Sequence, residues 1–182
     1  MMSDDGTVIE RVLNGDRAAF RGLVERHQDR LFGFLRRILS NAADCEDVAQ
    51  DVFLAAYRNL AAYRPELSKF STWVLTIARN KCWNLCAKQR AAASADAAPP
   101  EPIDARTPDA SLIEAEFYRQ LDLALAALPM EQKTVFVLAE LQDLTLEEIG
   151  RIEGVSVGTV KSRLSRARAK LRAIFRAAEA TG

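Results

Sequence analysis

Apolar residues recur every three to four positions along most of the chain, the spacing that lays one stripe down a helix. From Thr7 to Leu39 the inward set is Val8, Val12, Leu13, Phe20, Leu23, Val24, Leu31, Phe34, Leu35 and Ile38. Asn14-Gly15-Asp16 interrupts it with turn chemistry, which predicts a short helix and then a longer one over about Asp16–Leu39. Ser40-Asn41 breaks the pattern again. Asp44 then opens D-C-E-D-V-A-Q-D-V-F-L-A-A-Y-R-N-L, with Val48, Val52 and either Phe53 or Ala55 inside. Tyr63–Lys69 reads as a loop broken by Pro65. Phe70–Arg90 reads as a helix whose apolar face is Phe70, Trp73, Val74 and Ile77, with Leu85 as a further candidate.

Ala91–Pro108 is different in kind. Small residues and four prolines cannot bury enough apolar surface to offset ordering, so this stretch predicts an acidic, flexible linker between two domains. Helical patterning resumes at Asp109 with Leu112, Ile113, Phe117, Leu121, Leu125 and Leu128. Pro129 begins the next helix at its tolerated first turn, followed by Val135, Phe136, Leu138 and Leu141. V-F-V-L alone is compatible with a strand, but its helical neighbours argue for helix.

The stretch Leu144–Arg176 divides into a short helix, a tight turn and a long helix. Thr145 and Glu148 have capping-box spacing, Gly154 supplies the left-handed residue that ends the first helix, and Ser156 can cap the second. Val160, Leu164, Ala167, Leu171, Ile174 and Phe175 then fall within an arc of roughly 100°. The outer face and its flanks carry Thr159, Lys161, Ser162, Arg163, Ser165, Arg166, Arg168, Lys170, Arg172 and Arg176, with no acid between Gly154 and Glu179. Seven cations without a carboxylate point to a polyanion, and a helix–turn–helix presenting its second helix to DNA accounts for turn, stripe and charge together. A solvated basic helix is the plainer reading of the charge alone.

Composition adds a class and charge adds a division. The 182 residues are 49% hydrophobic, rich in Ala, Leu, Arg and Glu, and punctuated by only eight glycines and six prolines, which predicts an all-α protein of one or two domains. Formal net charge is zero, yet Ala95–Glu153 is strongly acidic while Thr76–Arg90 and Gly154–Arg176 contain cations and no acids. Three cysteines, Cys45, Cys82 and Cys86, match no disulfide framework and fit a reduced compartment. Cys82 and Cys86 stand four apart on one helix, but with no second ligand pair and His27 as the sole histidine they make a poor metal site, and no cofactor is expected. His27, among Arg26, Gln28 and Arg30, reads as solvated. The N-terminus lacks a signal-peptide pattern and no apolar run approaches the roughly 20 residues a bilayer requires, so a cytoplasmic protein without membrane insertion is expected.

Two further clusters carry chemistry. Glu46, Asp47, Gln50 and Asp51 project from the first turns of one helix, where acids are favoured by the macrodipole. Phe53 beside them makes an acidic patch with an aromatic, suited to a basic helical partner. On Phe70–Arg90, the cations Arg79, Lys81, Lys88 and Arg90 ride with Asn80, Trp83 and Asn84, a mixture suited to single-stranded nucleic acid. Aromatics at helical spacing are more often core, and Trp73 is assigned there.

With these segments in order, the chain resembles the extracytoplasmic-function sigma factors, the two-domain minimal group of the sigma-70 class. The resemblance rests on D-C-E-D-V-A-Q-D-V-F-L-A-A-Y at Asp44–Tyr57, F-S-T-W-V-L-T-I-A-R-N at Phe70–Asn80, and L-T-L-E-E-I-G-R-I-E-G-V-S-V-G-T-V-K-S-R-L-S-R-A-R-A-K-L at Leu144–Leu171. It implies two helical domains at 1–92 and 110–182, joined by a linker at 93–109. Glu46, Asp47, Gln50, Asp51 and Phe53 would meet the clamp helices of the largest subunit of core RNA polymerase, whose flap region is a further expected partner. Ser68, Lys69, Arg79, Asn80, Lys81, Trp83 and Asn84 would open and read the minus-10 element on the non-template single strand. Ser156, Thr159, Lys161, Ser162, Arg163 and Arg166 would read the minus-35 element in duplex promoter DNA. The family has no chemistry of its own, and an anti-sigma factor commonly holds its members silent. The rival reading is a conventional helix–turn–helix regulator that binds duplex DNA without polymerase. An enzyme is disfavoured, because phosphate loop, metal cluster, and nucleophile with a base at motif spacing are all missing from the sequence.

Overall fold

The computed structural model of the protein describes residues 4–92 and 112–179, and among these every regular element is helical. The expected linker at 93–109 lies outside the described residues. The first half contains α1 (Asp4–Leu13), α2 (Phe20–Ile38), α3 (Ala42–Arg58) and α4 (Phe70–Ala92). The second contains α5 (Leu112–Ala126), α6 (Met130–Phe136), α7 (Leu146–Glu153) and α8 (Val157–Glu179).

Local chemistry sets the boundaries. Asp16 caps a single 3₁₀ turn, Arg17–Ala19, by accepting from the Ala19 N–H at 3.2 Å, so α2 begins at Phe20 and not at Asp16. Asn41 caps α3 through the Ala43 N–H at 2.8 Å. The V-F-V-L segment is helical, but the helix widens to a π-turn over Val137–Leu141 before the chain enters the second motif.

In the first half α2, α3 and α4 enclose Leu23, Leu31, Phe34, Val52, Phe70 and Leu75, all essentially without solvent contact. Beside this core Tyr63 meets Phe70 edge to face and Trp73 at a tilt, with ring centres 5.6 and 5.3 Å away, and its hydroxyl donates to the Ser68 carbonyl at 2.9 Å. That pins the loop before α4. In the second half α6, α7 and α8 close around Leu125, Val135, Leu138, Ile149 and Val160.

Four expectations need correction. Leu13, the last residue of α1, is 51% exposed. Phe117 is 55% exposed on the outer side of α5. His27 is not solvated: Nε2 lies 3.0 Å from Asp5 Oδ2, and the ring packs against Phe70. Asp5 also pairs with Arg26, so α1 is tied to α2 through one carboxylate.

Phe53 is the fourth and concerns the expected polymerase surface. At 9% exposure it belongs to the core with Cys45, Ala49, Val52 and Ala56, an inward series that leaves no aromatic on the acidic face. The exposed large apolar side chain on α3 is Leu54.

The two halves pack on each other, α4 against α7 and α2 against the α6 region. Polar ties mark the seam: Arg37 pairs with Asp122, Lys133 Nζ donates to the Ile38 carbonyl at 3.0 Å, and Arg30 donates to the Gln142 carbonyl. Burial lowers the pKa of Lys133 from the usual lysine value, with the nearby Cys86 and Asp122 opposing.

Candidate nucleic-acid interface

The helix–turn–helix is built by reciprocal local bonds. The Glu148 N–H donates to Thr145 Oγ1 at 3.2 Å, and the Thr145 N–H donates to Glu148 Oε2 at 3.0 Å, which satisfies two of the donors at the start of α7. Burial alone would raise the Glu148 pKa, but hydrogen bonds from Thr145 and Lys69 outweigh it and hold the carboxyl below its usual value. Gly154 takes the left-handed conformation at φ 67°, ψ 33° and ends α7. Ser156 Oγ accepts from the Thr159 N–H at 3.2 Å and starts α8.

From this corner α8 buries Val160, Leu164, Ala167 and Leu171 and turns Lys161, Ser162, Ser165 and Arg166 outward. Arg166 folds back over Ser162, donating to its carbonyl at 3.2 Å and its hydroxyl at 3.0 Å, while Ser162 donates to the Thr159 carbonyl. Such contacts hold the guanidinium along the outer face and satisfy few of its five donors. Farther along, Arg168 donates to Glu140 at 2.9 Å and Lys170 to the Ala127 carbonyl at 2.7 Å. Four of the six expected minus-35 residues, Ser156, Lys161, Ser162 and Arg166, are therefore exposed, and Thr159 is half-buried in the cap. Arg163 departs from the row: Nη1 turns back to Glu153 Oε2 at 3.2 Å.

The expected minus-10 residues take several different environments. Asn80 and Asn84 are exposed one turn apart on α4. Lys69 reaches the second half, 3.3 Å from Glu148. Arg79 also reaches it, with Nε 3.1 Å from Glu153 Oε1, and its guanidinium lies 4.3 Å from the centre of the Trp83 ring. Trp83 is half-buried, and its indole nitrogen lacks a hydrogen-bond partner. Ser68 is half-buried at the pinned end of the loop.

Lys81 turns the other way, 2.8 Å from Asp51 of α3. With Asn84 and Lys88 it faces Asp44, Asp47, Gln50 and Asp51 across an open groove, so the acidic patch and the cationic side of α4 form two walls of one surface. Glu46, Asp47, Gln50 and Asp51 are all exposed. Sequence reasoning missed Glu153, which looked like one more acid in an acidic stretch, and nothing local could have revealed partners 74 and 10 residues away.

No helix among the described residues is long and apolar enough to cross a membrane. The cysteines do not form an accessible reactive pair. Cys82 is wholly buried, and burial raises the pKa of its thiol far above the usual range; burial likewise pushes Cys45 up to about 11 and raises Cys86.

Comparison with known proteins agrees with this architecture. Sigma-70 region 2 matches residues 23–92 and Sigma-70, region 4 matches residues 118–171. The ECF RNA polymerase sigma-E factor of Haemophilus influenzae is 36% identical over 174 residues, covering 90% of this chain and 91% of that protein. The ECF RNA polymerase sigma factor SigW of Bacillus subtilis is 33% identical over 174 residues, covering 90% and 92%. Among solved structures, CnrH in complex with the cytosolic domain of CnrY superposes with a TM-score of 0.71 at 28% identity, over 94% of this chain and 96% of that one. The all-helical halves, the capped helix–turn–helix and these matches across both halves together place the chain in the extracytoplasmic-function sigma factors of the sigma-70 class.

Proposed function

We propose that this chain directs core RNA polymerase to promoters by a grip at two points and has no catalytic role. Residues 1–92 dock on the clamp helices through Glu46, Asp47, Gln50 and Asp51, and open and read the minus-10 element along Ser68–Asn84. Residues 110–182 bind the minus-35 element through α8 and approach the polymerase flap, and residues 93–109 connect the two. The observation that carries this reading is the outward row Lys161, Ser162 and Arg166 on a capped recognition helix, in a chain of this family. Phosphate contacts would supply affinity and base-edge contacts specificity.

Two supporting features lie outside the DNA surface. The groove between Asp51 and Lys81 offers a carboxylate row beside the helix proposed to read unstacked bases, so docking and melting surfaces adjoin. CnrH was solved with the cytosolic domain of CnrY, which supports a cytosolic protein partner for this chain and action in the cytoplasm, and an anti-sigma factor is the partner the family resemblance implies.

The test is run-off transcription with core polymerase and a promoter library. Transcripts starting at defined sites only when the chain is present are expected. Duplex binding without any polymerase-dependent transcript would replace this reading with that of a conventional helix–turn–helix regulator.

A further inference from the structure

Arg163 is the one cation of the expected minus-35 set that does not face outward. At 100° per residue it stands about 60° from Val160 and about 40° from Ala167, both wholly buried, so it emerges at the edge of the apolar stripe. Its side chain is 23% exposed, and Nη1 donates at 3.2 Å to Oε2 of Glu153, a carboxylate with 0% exposure. Glu153 is the last residue of α7, where the helix dipole opposes negative charge, and a buried carboxylate is unfavourable unless paired. Arg79 of α4 lies nearest the other oxygen, Oε1, at 3.1 Å, and Arg163 is the partner supplied from within the second half. The pair between Glu153 and Arg163 spans the turn of the helix–turn–helix, joining the end of α7 to the second turn of α8 on either side of Gly154.

We propose that Arg163 is a positioning residue for promoter reading and not a DNA ligand: paired with Glu153, it braces the turn and sets the angle at which α8 presents Lys161, Ser162 and Arg166. The inference rests on the proposed reading of duplex DNA by α8. The bonds of Thr145 with Glu148 and of Ser156 with Thr159 fix where each helix begins, and the Val155 N–H to Gly150 carbonyl bond fixes the crossing of the chain. None of these reaches past the first turn of α8. The burial of Val160, Leu164 and Ala167 has a non-directional driving force, whereas a charge-assisted hydrogen bond fixes both distance and direction. A roll of α8 moves all three outward side chains together, and so blurs every base pair they read. Loss of a base ligand, by contrast, is felt at the base pair it contacts.

The experiment uses the full chain with core polymerase. Barcoded run-off templates carry the downstream element of a transcribed promoter and a randomised upstream duplex, and sequencing the transcripts gives each variant's preference at every upstream base pair. Arg163→Met keeps the apolar stem and removes the donor, Arg163→Lys keeps a donor, and Glu153→Met removes the acceptor. Circular dichroism at the assay temperature checks that each is folded. Arg163→Met is expected to lower discrimination about three- to ten-fold at every upstream position that the wild type reads. Arg163→Lys should recover most of it, since a single charge-assisted bond, unlike a bidentate base contact, tolerates a lysine. Glu153→Met should match Arg163→Met, and the double variant should be no worse than either single one, because an apolar pair then replaces the ion pair. Arg79 loses its partner equally in Glu153→Met and in the double variant, so comparing those two isolates Arg163, and does so even where Arg163→Met alone is unfolded. A loss confined to one base pair, wild-type preferences in Arg163→Met, or a further loss on adding Arg163→Met to Glu153→Met overturns the proposal. A wild type that transcribes without preference at any upstream position counts instead against the reading of duplex DNA by α8.

Discussion

Gly150 lies so close to the turn of the helix–turn–helix that a Cβ there would stand 2.9 Å from the Val155 carbonyl oxygen. The Gly150 carbonyl accepts from the Val155 N–H at 3.0 Å, so the backbone crosses itself at this point and neither segment of the crossing can retreat. Gly150→Ala should destabilise the second half by about 1–3 kcal/mol, as overpacking against backbone does. Denaturant unfolding followed by circular dichroism measures it, and a loss below about 0.5 kcal/mol would mean that the turn relaxes freely.

The capping box makes a separate prediction with a pH signature. Thr145→Ala should cost about 0.5–2 kcal/mol. Because the folded Glu148 pKa lies below its ordinary 4.5, its contribution is present above that value and fades as pH falls through the folded value. The stability difference between wild type and Glu148→Gln should accordingly be larger at pH 7 than at pH 3. Equal differences at both pH values would rule out a role for the ionised carboxylate.

On the recognition helix, Arg166→Ala and Lys161→Ala should weaken binding to a cognate minus-35 duplex. A lost bidentate base contact is worth about 1–3 kcal/mol, whereas a lost phosphate contact should lower the salt dependence of binding. Anisotropy titrations at several salt concentrations separate the two roles. Unchanged affinity and salt slope for both variants would remove them from the interface.

Neighbouring positions on α3 should behave oppositely. Asp51→Arg, at an exposed site paired only with Lys81 among the described contacts, should leave urea unfolding nearly unchanged and weaken binding to core polymerase. Phe53→Ala should cost about 3–5 kcal/mol of stability, because it empties a core position. A stable Phe53→Ala protein with a selective polymerase defect would restore that ring to the docking surface.

The thiols should be protected in the folded state. Raised pKa values leave little thiolate at neutral pH, so iodoacetamide should react slowly and reach Cys82 last, as followed by mass spectrometry. Rapid alkylation of Cys82 in the native protein would contradict its burial.

The features legible in the sequence were those written within a few residues. Thr145 with Glu148, Gly154 and Ser156 each carry their cap chemistry in their own spacing, and all three form as read. Phe53 was ambiguous because Val52 and Phe53 are both compatible with the inner stripe of α3, and only the packed neighbours show that both are inside. Gly150 carries no helical signal except a penalty, and its reason is a carbonyl five residues later that the left-handed turn at Gly154 folds back over it. The seam between the halves was unreadable for a different cause. Arg30 and Gln142, or Arg79 and Glu153, are joined by geometry across long separations that no periodicity records.

The π-turn at Val137–Leu141 sets the direction in which the chain leaves α6 at Gln142. A π-turn is an α-helical turn carrying one additional residue, so it advances the chain by about 100° of rotation and 1.5 Å relative to an uninterrupted helix. Loss of a single residue here would let the segment revert to ordinary α-helix and turn Gln142 by about 100° around the α6 axis. Its carbonyl would leave Arg30, so one residue lost in the second half would be felt in the first.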